Sequence, residues 1–112
     1  MKLVVDSSVS LKWWLDDEDF IGEARALLSR ITGGSIELVL PELWLYEVAN
    51  GVTTAARRNR ISVEDGALFI EELQAIPFKL YPIASHLNMI YNNAARYKYA
   101  VYDMVYVTIA ET

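Results

Sequence analysis

Met1-Lys2-Leu3-Val4-Val5-Asp6-Ser7-Ser8 opens the chain, and the break at Asp6 decides the fold class. Lys2 to Val5 is a short, β-branched apolar run of the kind that forms a strand buried on both faces. Asp6-Ser7-Ser8 ends it, and Ser7 or Ser8 is placed to cap a short helix bearing Leu11, Trp14 and Leu15. The acidic cluster Asp16-Asp17-Glu18-Asp19 then falls where a second helix begins, against the positive end of its dipole. Phe20, Ala24, Leu27, Leu28 and Ile31 give that helix an apolar stripe, and Gly33-Gly34 stops it.

The same alternation repeats twice. Ile36 to Leu40 reads as a second buried strand, and Pro41 as the first position of a long helix ending near Arg58 or Asn59. Leu45, Val48, Val52 and Ala55 share one side of that helix. Ser62 and Asp65 resemble a capping box for a helix reaching about Ala75, with Leu68 and Leu73 inward. Phe78 to Tyr81 makes a third strand, and Pro82 opens a helix with Leu87, Ile90, Tyr91 and Ala94 on one face. A last helix starts near Tyr102 and runs to Thr112. Strand and helices in strict alternation predict an α/β fold with a parallel sheet.

With 112 residues, 54% of them apolar, the chain suits one domain with a real core. The absence of cysteine removes disulfides, thiolate catalysis and cysteine-based metal sites, and is consistent with a reducing compartment. No apolar stretch approaches the roughly 18–20 residues of a membrane span, so a soluble cytoplasmic protein is expected. A net charge of −5 argues against loose, charge-driven binding to nucleic acid. His86 is the only histidine, which excludes two-histidine acid–base chemistry and multi-histidine zinc sites. There is no glycine-rich phosphate loop.

Three acids fall at matching places in this pattern. Ligands gather at the carboxyl ends of strands in open parallel sheets. Asp6 lies at that end of the first strand, Glu47 within two turns of the start of the next long helix, and Asp103 in the first turn of the last helix. Singly, each has an ordinary explanation as a cap or a solvated helix residue. Their neighbours weigh against that, because all three are embedded in apolar sequence and an unpartnered buried carboxylate is costly. Two such groups about 5 Å apart would repel by roughly 3 kcal/mol at an effective dielectric of 20. A shared proton or a cation relieves this, and an all-oxygen donor set suits Mg²⁺ or Mn²⁺.

The segments Leu3-Val4-Val5-Asp6-Ser7-Ser8-Val9, Pro41-Glu42-Leu43-Trp44-Leu45-Tyr46-Glu47-Val48-Ala49-Asn50 and Tyr102-Asp103-Met104-Val105-Tyr106-Val107 resemble the PIN-domain family, in particular its VapC-like toxin ribonucleases. The resemblance implies a three-layer α/β/α domain with a central parallel sheet over residues 1–112. It implies catalytic and metal-binding roles for Asp6, Glu47 and Asp103, with Mg²⁺ or Mn²⁺ as cofactor and RNA as substrate. It also implies an antitoxin protein as partner and a homodimer. Ser7 or Ser8 would orient a metal-bound water, and Asn50, one turn after Glu47, would support it. Family members continue into further strands carrying a fourth acid, whereas this sequence ends at Thr112. A truncated domain with missing C-terminal strands is therefore expected, its open sheet edge covered by another copy or another protein. The alternative is a catalytically impaired module acting through dimerisation or antitoxin binding. A phosphoacceptor receiver is disfavoured because Asp6 has no acidic neighbour and Tyr81-Pro82 follows the third strand.

Arg57, Arg58 and Arg60 read either as a solvated helix end or as a contact for phosphate or an acidic partner. Trp13, Trp14, Trp44 and the tyrosines read as core and interface rather than base-stacking surfaces.

Overall fold

The computed structural model describes residues 1–112. Its elements run β1 (Lys2–Leu3), α1 (Ser7–Leu11), α2 (Ile21–Thr32), β2 (Glu37–Leu40), α3 (Glu42–Arg57), α4 (Val63–Ala75), β3 (Lys79–Leu80), a 3₁₀ turn (Ala84–His86), α5 (Leu87–Tyr97) and α6 (Val101–Glu111). The three strands form one parallel sheet in the order β1-β2-β3, with β1 on one edge. Leu3 pairs with Leu38, and Leu40 with Leu80.

Two separate cores make the layering explicit. Strand side chains alternate between the two faces of a sheet. Leu3, Val5, Leu38 and Leu40 join Trp44, Val48, Val52, Ile31 and Leu73 on the face covered by α1 to α4. Val4 and Val39 turn the other way and pack with Ile90, Ala94, Met104 and Ile109 of α5 and α6. This is the expected three-layer α/β/α arrangement, and it is why Val4-Val5 and Leu38-Val39-Leu40 are apolar on successive residues, whereas Lys2, Glu37 and Lys79 at the strand starts are exposed.

The three tryptophans are core residues, each tied by its indole N–H. Trp13 donates to the Ala24 carbonyl at 2.9 Å, Trp14 to Glu72 Oε2 at 2.8 Å and Trp44 to Ser10 Oγ at 2.7 Å. Where α1 crosses α3, a Cβ on Gly51 would stand 2.6 Å from Leu11 Cδ1. A larger residue there would force the Leu11 side chain to shift, so Gly51 lets α1, and with it Asp6, pack closely on α3.

Several local expectations are revised. Neither Ser7 nor Ser8 caps α1; Asp6 does, accepting from Val9 N. Pro41 is the residue before α3 rather than its first position. Pro82 opens no helix, because the chain passes through Ile83 and the 3₁₀ turn before α5 begins. Phe20 adopts φ 59° ahead of α2 and is exposed instead of joining its stripe. Leu68 is exposed because it lies five residues before Leu73; the buried line of α4 is Gly66 and Leu73, seven apart. The buried stripe of α5 is only Ile90 and Ala94, leaving Leu87 and Tyr91 exposed at its margins. The Ser62 cap is present, accepting from Asp65 N at 3.0 Å.

Arg60 is not a free cation. Its guanidinium grips Asp17 through Nε and Nη2, at 2.7 and 2.5 Å, and reaches Glu18 at 3.4 Å. It thereby ties the chain after α3 to the acidic segment before α2. The hydrogen bond from Arg60 holds the Asp17 carboxyl below its ordinary value. A depressed carboxylate contributes stability that is present above its unfolded value, roughly pH 4, and lost as pH falls through the folded one. Arg60→Ala should therefore lower the unfolding midpoint at neutral pH. The gap to the unsubstituted chain should close in acid below pH 4, as read by circular-dichroism melts across pH.

An acidic cavity between the first strand and the last helix

Asp6 reaches its position because β1 ends and the chain turns into α1. Its backbone is extended, at φ −84° and ψ 173°, and its Oδ1 accepts from Val9 N at 3.2 Å and Ser8 Oγ at 2.6 Å. Both bonds use Oδ1, which leaves Oδ2 without a hydrogen-bond partner. The Asp6 carbonyl accepts from Ser10 Oγ at 3.3 Å, and that hydroxyl in turn accepts from Trp44. The most buried tryptophan is thus linked in two hydrogen bonds to the backbone of Asp6.

Asp103 sits in the first turn of α6, which has no side-chain cap, and its negative charge there is favoured by the helix dipole. Asp6 and Asp103 line one cavity of about 550 Å³, together with Tyr97, Tyr99, Tyr106 and Glu111. Glu47 is not on its wall. It is half-buried on α3, and its Oε1 accepts a short hydrogen bond from the Tyr106 hydroxyl, which joins it to the cavity from behind.

Tyr106 stands on the cavity wall between Glu47 and the other two acids. Burial, first of all, pushes its phenol well above the ordinary tyrosine value. The hydrogen bond to Glu47 and then the charges of Glu47, Asp6 and Asp103 push in the same direction. The Tyr106 hydroxyl therefore keeps its proton and donates it in the hydrogen bond to Glu47.

The oxygen donors around this cavity are carboxylates and phenols, its one sulfur is the buried Met104 thioether, and there is no histidine on its wall; carboxylate oxygens of this kind fit a hard divalent ion. As the side chains stand, no three acidic groups form a ready-made ligand cluster, since Glu47 is turned to Tyr106. Asn50 is exposed and makes no hydrogen bond to Glu47, and Ser8 binds Asp6 itself. His86 lies in the 3₁₀ turn beside Ser85, away from the acids.

Glu111, Tyr97 and Tyr99 were not anticipated as neighbours of the acids. The 103, 107, 111 spacing, one residue per helical turn on α6, is the signal that places Glu111 on the face of Asp103. Tyr97 is the last residue of α5 and Tyr99 lies in the turn before α6, a junction that no periodicity reveals.

No family model matches the chain. Among curated proteins, it is 29% identical over 109 residues to a VapC ribonuclease of Mycobacterium bovis and to ribonuclease VapC9 of Mycobacterium tuberculosis, covering 97% of this chain and 77% of each relative. It is 31% identical over 113 residues to ribonuclease VapC3 of Pyrobaculum aerophilum, covering 99% of this chain and 82% of that protein. The chain belongs to the VapC family of PIN-domain ribonucleases. Both the family and the α/β/α fold expected from the three quoted segments hold. In this VapC-family chain, those segments are the ones that carry Asp6, Glu47, Asp103 and Tyr106. No helix is long and apolar enough to cross a membrane.

Proposed function

We propose that this chain is an endoribonuclease that hydrolyses RNA phosphodiesters with Mg²⁺ or Mn²⁺ held by Asp6, Glu47 and Asp103. The observation that carries the reading is the one cavity lined by Asp6, Asp103 and Tyr106, with Glu47 tied to it through the Tyr106 hydroxyl. A bound divalent ion would supply Lewis acidity and a more acidic water. Asp6 offers Oδ2 from a backbone fixed by its own helix cap. Glu47 keeps Oε2 available while Tyr106 donates to Oε1. Asp103 adds its charge at the mouth of α6, and the exposed side of the cavity admits a phosphate.

Residues 1–112 act as one PIN domain in this proposal, in the cytoplasm, with a homodimer and an antitoxin protein as its assembly partners. A second reading, a catalytically impaired module that works by binding, draws support from Glu47 being turned toward Tyr106. One assay separates them. The purified chain incubated with structured RNA and Mn²⁺ should produce defined fragments, and EDTA should stop it. Fragments that persist in EDTA would overturn the metal mechanism, whereas Mn²⁺ binding without cleavage would support the module.

A further inference from the structure

We propose that Tyr97 and Tyr99 form a base-stacking lip on the acidic cavity, gripping unpaired nucleotides of an RNA strand beside the bond to be cut. The inference rests on the ribonuclease reading and adds what the site holds besides phosphate.

Four consecutive residues, Arg96-Tyr97-Lys98-Tyr99, alternate cation and aromatic at the turn from α5 to α6. Tyr97 and Tyr99 both line the cavity that holds Asp6 and Asp103. They are nevertheless 53% and 64% exposed, although a large aromatic ring gains most from burial. The Arg96 guanidinium lies over the Tyr97 ring, 5.3 Å from its centroid. That contact orients the ring and occupies one face, so the other face is the one left for a flat partner. Lys98, between the two rings, holds the left-handed conformation at φ 60° as the C-cap of α5. A side chain larger than glycine is uncommon there, and the backbone reversal is what brings residues 97 and 99 to the same cavity.

The occupant follows from this chemistry. Aromatic faces interleaved with cations bind single-stranded nucleic acid, with bases stacking and backbone phosphates meeting the cations. Elsewhere the molecule is acidic, at net charge −5, and an RNA strand would be repelled from most of it. At this rim Arg96 and Lys98 offset that repulsion, within one cavity's width of the acids. Duplex RNA keeps its bases stacked inside and offers such rings nothing, so the lip selects unpaired segments.

The test uses the full chain, a fluorescein-labelled single-stranded RNA 12-mer and its duplex, with binding read by anisotropy in EDTA and cleavage read in Mn²⁺. Tyr97→Ala and Tyr99→Ala should each weaken single-strand binding about tenfold, and the pair about a hundredfold. KM should rise accordingly while kcat stays near its starting value, and Tyr97→Phe should bind as the parent does. Tyr91→Ala, also exposed but off the cavity wall, is the control and should change nothing. If the parent cleaves RNA and the Tyr97 and Tyr99 variants match it in binding and KM, the lip is overturned and the ribonuclease stands. If the parent neither binds nor cleaves RNA, both fall. If the variants bind RNA normally but dissociate a dimer in sedimentation, the surface is a protein interface and the lip is again overturned.

Discussion

Asp6→Asn should reduce metal-dependent RNA cleavage by roughly a hundredfold or more and leave the fold intact. The two effects separate because of what the side chain does locally. As the cap of α1, Asp6 uses one oxygen to accept from Val9 N and Ser8 Oγ. Asparagine caps helices about as well as aspartate and keeps that acceptor. What it removes is the negative charge and the second, unpartnered oxygen of a residue on the cavity wall. Charge stabilisation by a bound divalent ion is worth several kcal/mol, and about 2.7 kcal/mol is a factor of a hundred in rate. Asp6→Ala is the contrasting variant, since it also forfeits the cap, at a cost of about 1 kcal/mol. Thermal melts should therefore place Asp6→Asn close to the parent and Asp6→Ala below it, with both inactive. Full activity in Asp6→Asn would remove Asp6 from the site.

The largest effect on stability should come from Trp44→Ala. Trp44 is fully buried, packs against Phe78 with ring centroids 5.5 Å apart, and donates to the equally buried Ser10. Truncating a buried tryptophan costs about 3–5 kcal/mol, a large part of the total stability of a domain this size. The damage should reach the site by two routes. Trp44 lies one turn before Glu47 on α3, and its bond to Ser10 supports the hydroxyl that donates to the Asp6 carbonyl. Trp44→Phe isolates the second route. It keeps most of the volume, loses the indole donor at a cost of about 1 kcal/mol, and loosens the backbone at Asp6. Urea unfolding should order the three as parent, then Phe, then Ala. Equal stability of Trp44→Ala and the parent would contradict the core described here.

Much of the fold was legible because its signals are local. Val4-Val5 and Leu38-Val39-Leu40 are apolar on successive residues, and that is what a sheet covered on both faces demands. The Ser62 cap and the length of α3 follow from side chains within a few residues of one another. The errors arose where a helix chooses which part of a broad apolar surface to bury. Leu68, Leu87 and Tyr91 each lie on plausible stripes, and only the positions of α3 and α6 decide against them. Arg60 was ambiguous for a similar reason, because Asp17 is 43 residues away in sequence.

The acids show the same division. The positions of Asp6 and Asp103 follow from strand and helix ends, and they face one cavity as alternation suggests. The orientation of Glu47 toward Tyr106 depends on a contact across 59 residues, which no motif encodes. Tyr97 and Tyr99 depend on a left-handed Lys98, and lysine gives no hint of that conformation.

The central claim is that Asp6, Glu47 and Asp103 serve one divalent ion, and titration calorimetry with Mn²⁺ tests it without reference to activity. The parent chain should bind one Mn²⁺ per molecule, and Asp6→Asn, Glu47→Gln and Asp103→Asn should each weaken or abolish that binding while melting near the parent. Unchanged Mn²⁺ stoichiometry and affinity in all three variants would contradict it.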